Sequence, residues 1–263
     1  MPGQSLAMRG QRRLDWLTRR WWLYPAILVV FFLPPYATGG YDPQASTDLI
    51  GATLAAPVIF SLPWLMPVSK VLTLAAVVGV LALGNRARRP FDGYVALAYL
   101  AIAIFQNTAQ TEAYGLVVLL GNVAVVLLVA LFWIWETVAG VNDFSPRRRP
   151  LWRWWVAPLA LLAFLSPIDP ATMAPDFSPL RPLTNESCLT FCMVTPVFLA
   201  MLTLFHPSVN LATMRVTGFA GILLGIVNML TWFVLEPSGW WMGVLHLPLL
   251  TISLVAFVSA LRR

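Results

Sequence analysis

A thiol, a carboxamide and an imidazole stand in three successive apolar segments near the C-terminal end of this sequence. Cys188 opens a segment just after Asn185-Glu186-Ser187, Asn228 lies in the next, and His246 sits in Val244-Leu245-His246-Leu247-Pro248 of the last. If these segments are antiparallel membrane spans, all three residues fall toward one face. A thiol beside an imidazole gains thiolate character and becomes a nucleophile, and a carboxamide can orient the imidazole or stabilise an oxyanion. The residues also have plainer readings. Cys188 and Cys192, four apart on one helical face, serve as small apolar residues. Two thiols are half of a tetrahedral zinc set, and the spacing lies at the limit of disulfide reach. His246 is an ionisable group well inside an apolar segment, so it is either functional or a neutral imidazole bonded to a neighbouring helix, with Asn228 as a candidate partner.

The layout of Cys188, Asn228 and His246 at the outer ends of late spans resembles the exosortase and archaeosortase family of membrane-embedded cysteine transpeptidases. The resemblance covers about residues 185–250. It implies an outward-facing thiol enzyme with Cys188 as nucleophile. The family's Asn-x-x-Arg reads here as Asn228-Met229-Leu230-Thr231, and Leu189-Thr190-Phe191 replaces the small residues after the family's cysteine. The chain is not assigned to the family on these residues.

The elements that must position these side chains are membrane spans. Of the 263 residues 59% are hydrophobic and 11% charged, where a soluble domain has about 25% charged residues. Repeated apolar runs near the ~20 residues needed to cross a bilayer predict an all-α polytopic helical bundle. The clearest spans are 21–37, 94–110, 115–135, 151–166, 187–205, 216–235 and 240–260, after a basic N-terminal segment, 1–20. Residues 49–84 are apolar but broken by Pro57, Pro63 and Pro67, and are long enough to cross once or twice. A single crossing reconciles the charges. Fifteen of the seventeen Lys and Arg residues then share one side: those of the N-terminus, Arg86–Arg89, Arg147–Arg153, Arg215 and Arg262–Arg263. The positive-inside tendency makes that side cytoplasmic. This gives eight spans in a single bundle, 21–263, with both termini inside and a proline-rich outer loop at 167–186. Tryptophans near span ends, among them Trp21-Trp22, Trp133, Trp135, Trp152 and Trp240-Trp241, read as interfacial anchors.

The net charge of +6 belongs to span-flanking arginines and not to a solvated basic face, so nucleic acid is not an expected partner. No phosphate-binding Gly-rich loop, His-Glu-x-x-His or Gly-x-Ser-x-Gly is present, and the sequence implies no cofactor or metal. It shows no obvious pair of intramembrane carboxylates of the kind used by proton-driven carriers. The expectation is a multi-pass cell-membrane protein whose partners are the bilayer and either a small solute or other membrane proteins. It would act as a permease-like component or as an integral subunit of an assembly. The thiol enzyme with Cys188, His246 and Asn228 is the alternative.

Overall fold

The computed structural model describes residues 2–146, 149–169, 172 and 174–262, with only the backbone of residues 2–6. Arg147 and Arg148 of the basic cluster, Arg263, and Pro170, Ala171 and Met173 of the outer loop lie outside the described residues. The elements in chain order are α1 (Pro2–Thr18), α2 (Leu23–Phe31), β1 (Tyr36–Ala37), α3 (Ser46–Ala55), α4 (Leu65–Leu83), α5 (Arg88–Ala101), β2 (Thr108–Thr111), β3 (Gly115–Val118) and α6 (Leu120–Ala139). There follow α7 (Val156–Leu165), β4 (Ile168–Asp169), β5 (Ala174–Pro175), α8 (Arg181–Thr184), α9 (Phe191–Phe205), α10 (Leu211–Leu230) and α11 (Trp240–Leu261). Among the described residues, four helical stretches are long and apolar enough to cross a bilayer: Leu65–Arg86, Leu120–Ala139, Leu211–Leu235 and Pro237–Leu261. A fifth exists if Arg181–Leu189 and Phe191–Phe205, bent by 86° at Thr190, count as one broken span. These apolar helices mark the chain as a membrane-embedded helical protein.

Several predicted spans are shorter or differently built than expected, and prolines and glycines supply the reasons. The helix of 21–37 covers only Leu23–Phe31, about 14 Å at 1.5 Å per residue, because Pro34-Pro35 cannot continue it. The chain then joins β1 to β3, which also pairs with β2 in an antiparallel sheet of order β1-β3-β2. Residues 108–118, expected as two span ends, are therefore a hairpin. In the 49–84 stretch, Pro57 and Pro63 stop α3 and a short 3-10 turn, leaving Leu65–Arg86 as the one helix of spanning length there. The basic N-terminal segment is a helix packed on α10 and α6, not a loose tail.

The interior is close-packed aromatic and aliphatic surface. Phe198 of α9 meets Phe91, Tyr99 and Trp133 with ring centroids 6.2, 5.7 and 6.4 Å apart. Trp133, expected as an interfacial anchor, is fully buried and donates to Thr217 Oγ1 at 3.1 Å. The longest interface joins α10 and α11, where small residues bring the backbones together. A Cβ built at Gly221 would lie 2.9 Å from Ser253 Cβ, and one at Gly225 3.0 Å from Leu250 Cβ. Overpacking such a contact costs about 1–3 kcal/mol. Gly221→Leu should therefore lower the unfolding midpoint in detergent, while Gly51→Ala on α3, where nothing lies within 4 Å, should leave it unchanged or raise it.

Candidate functional site

At the end opposite α1, polar side chains from α4 and from the segment between α8 and α9 converge on the last turn of α7. This helix stops at Leu165 because Ser166 adopts a left-handed conformation, φ 42°, with its N–H returned to Leu162 O at 2.9 Å. The carbonyls of the final turn then face protein and need donors from elsewhere. Lys70, on the second turn of α4 just after the proline-broken segment, supplies one. It is 1% exposed, and its ammonium donates to Phe164 O and, at 2.5 Å, to Ser187 Oγ. Ser187 Oγ in turn donates to Phe164 O at 2.7 Å. Asn185 Nδ2 donates to Leu165 O at 2.5 Å, and its Oδ1 accepts from Ser187 N at 3.1 Å. A cation at a helix C-terminus is favourably placed against the helix dipole. Arg181 and Glu186 flank the site as an ion pair at 3.8 Å. Lys70 and Arg181 are the two basic residues that do not share the arginine-rich side, and both stand here.

Cys188 joins this group. The residue is 2% exposed, its Sγ lies 3.9 Å from Ser187 Oγ, and it stands within electrostatic reach of Lys70. Asn228 lies elsewhere: Nδ2 donates to Cys192 Sγ at 3.6 Å and to Leu224 O at 2.8 Å, and Oδ1 accepts from Trp232 Nε1 at 3.3 Å. The buried His246 donates from Nδ1 to Met242 O of its own helix at 2.6 Å. Thus the described hydrogen bonds join Asn228 to Cys192, and link neither Asn228 nor His246 to Cys188. Gln106 Oε1 accepts from Phe191 N at 2.9 Å and so fixes the start of α9.

The arginine-rich end carries a second polar network that sequence reading missed. Asp92 and Glu136, both fully buried, are bridged by Asn142, which donates from Nδ2 to Asp92 Oδ1 at 2.9 Å and from its backbone N to Glu136 Oε1 at 2.6 Å. Glu136 Oε2 accepts from Asn210 Nδ2 at 2.7 Å, and Asn210 shares reciprocal bonds with Gln11 of α1. Arg215 is also fully buried, and donates to Ala260 O at 3.0 Å, to Thr18 Oγ1 at 2.9 Å and to Asp15 at 3.3 Å. A carboxylate pair is thus present after all, at the bundle's end. Asp92 was hidden by its proximity to Arg88-Arg89, and Glu136 by the end of a long apolar run. The available sequence signal was isolation: Lys70 and Glu136 are lone charges in otherwise uncharged helices.

Among the described residues, no group of three or more His, Cys, Asp or Glu side chains could hold a metal ion. No protein-family model matches the chain, and neither a curated protein nor a solved structure gives a significant match.

The Asn142 side chain donates to Asp92 Oδ1 and accepts from Asn210 N at 2.8 Å, so removing it strands one buried acceptor and one buried donor at about 1–3 kcal/mol each. Asn142→Ala should lower the unfolding midpoint clearly, whereas Ser61→Ala, whose hydroxyl bond to Val58 O is solvent-exposed, should have a much smaller effect.

Proposed function

We propose that the chain is a multi-pass protein of the cell membrane that acts as a permease-like component for a small or amphipathic solute, with the Lys70–Ser187 site as its solute contact. The observation carrying this reading is the meeting of two interrupted helical segments at one buried amine. Lys70 follows the break at Pro57–Pro63, and Ser187 stands at the 86° bend before α9. Irregular backbone at membrane depth is tolerated where it is buried in protein or lines a cavity, and discontinuous helices form the solute sites of many carriers. An ammonium held by a carbonyl and a hydroxyl can exchange those neutral partners for an anionic group on a solute.

In this reading α2, α4, α5, α6, α7, α9, α10 and α11 are eight crossings and both termini are cytoplasmic. Support comes from the contacts of α1, Arg88, Arg153 and Arg215, which all gather at one end of the bundle, as the positive-inside tendency requires. An integral-subunit role is the static form of the same architecture. The outward-facing cysteine enzyme is a second reading, favoured by the seating of Cys188 beside Lys70 and Ser187, where an amine could take the role first given to His246.

Thiol accessibility separates the three. In the Cys192→Ala variant, with native Cys188 as the single thiol, an impermeant maleimide is applied to right-side-out and to inside-out vesicles. A permease-like protein should be labelled from both faces, because alternating access exposes the site to each. Labelling from neither face contradicts that reading in favour of a static subunit. Labelling from the outer face alone contradicts it in favour of the enzyme.

A further inference from the structure

The arginine-rich end contains a groove that the solute reading does not use. The loop after α6 turns at Gly140, φ 61°, and is pinned by Asn85: Oδ1 accepts from Phe144 N at 2.7 Å and Nδ2 donates to Asp143 Oδ1 at 2.7 Å. Phe144 is fully buried, 4.8 Å from the Phe205 ring. The loop thereby forms a fixed shelf between the end of α4 and the end of α9. Two cavities open on either side of Arg149. One, of about 370 Å³, is bounded by residues 81–84, Phe144 and Pro146, and the other, of about 240 Å³, by Ser145, Arg153 and residues 204–208. Arg149 Cζ stands over the Phe205 ring, 3.5 Å from its centroid, and Arg153 donates to His206 O, so both guanidiniums are held in place. Asp143 is the carboxylate on this wall, and its Oδ1 is engaged by Asn85 and by the Ser145 N–H and hydroxyl.

The groove's surroundings are apolar and outward-facing. Leu81, Leu83, Leu151 and Trp152 are exposed, the last two at 87% and 67%. Two fixed guanidiniums beside such a surface, at the end of the spanning helices, match an acidic headgroup whose acyl chains lie along the bundle. We propose that this groove binds the phosphate of an anionic phospholipid in the leaflet on the arginine-rich side. A guanidinium fork recognises a phosphate through paired charge-assisted hydrogen bonds, and a zwitterionic lipid offers less net charge for the same contact. The site requires only that this end lie at a membrane surface, and is independent of the Lys70 site.

The test uses the full chain purified in detergent with an equal mixture of phosphatidylglycerol and phosphatidylcholine, with retained lipid read by native mass spectrometry. Retention should favour phosphatidylglycerol by roughly tenfold, a preference worth about 1.4 kcal/mol. The preference should disappear in Arg149→Gln/Arg153→Gln and persist in Arg12→Gln/Arg13→Gln. If the double variant does not fold, Arg149→Lys keeps the charge without the fork and should weaken the preference. No preference in the wild-type protein, an unchanged preference in Arg149→Lys, or equal loss in the α1 variant would each overturn the proposal. Displacement of the lipid by millimolar inorganic phosphate would assign the groove to a soluble anion instead, and would also overturn it.

Discussion

A helix end packed against protein leaves carbonyl oxygens that need donors from side chains, and much of this structure depends on how two such ends are satisfied. At the end of α7, Lys70, Ser187 and Asn185 supply the donors; at the end of α11, Arg215 does. Each cation is fully buried. Desolvating a charge is expensive, and here the compensation is the negative end of a helix dipole together with hydroxyl or carboxylate partners. The two arrangements stand at opposite ends of the bundle and draw on segments far apart in sequence, 94 and 117 residues for Lys70 and 45 for Arg215 with Ala260.

The remaining architecture accommodates these anchors. Beyond the short α7 the chain bends before α9, and Gln106 and Asn185 accept from the backbone N–H groups of Phe191 and Ser187 at that bend. The broken stretch ahead of α4 has a similar consequence, since it brings Lys70 into the interior at the level of Phe164. On the other side, α1 is held by Gln11 and Asp15 against Asn210 and Arg215, so the basic N-terminal segment is part of the packed structure. Glycines at 221 and 225 let α10 and α11 approach closely enough for Arg215 to reach Ala260 O.

The helical, membrane-embedded character of the chain was legible because apolar runs of spanning length leave a strong compositional signal. The prolines at 57 and 63 marked where the 49–84 stretch is broken, while its length fitted one crossing or two; among the described residues Leu65–Arg86 is the one helix of spanning length there. The hairpin of 108–118 was not legible, since a short apolar run such as Gly115–Val118 fits a strand or a span end equally well. The short α2 was readable in principle from Pro34-Pro35, but hydropathy masked it. At the candidate site, Cys188 was identified by type, and its neighbours were not: spacing suggested His246 and Asn228, whereas the fold seats Lys70 and Ser187 beside it. Side-chain partners across more than a hundred residues depend on helix rotation and on where breaks fall, and neither is written in a single sequence's periodicity.

The central claim is that Lys70 and Ser187 act together as one structural and functional contact between two interrupted segments. A double-mutant cycle tests it most directly, comparing Lys70→Met, Ser187→Ala and the double variant by equilibrium unfolding in the same micelles. The two substitutions should be non-additive by about 1 kcal/mol or more, because each removes the partner that makes the other residue worth burying. Additivity within about 0.3–0.5 kcal/mol would show the two residues to be independent and would contradict it.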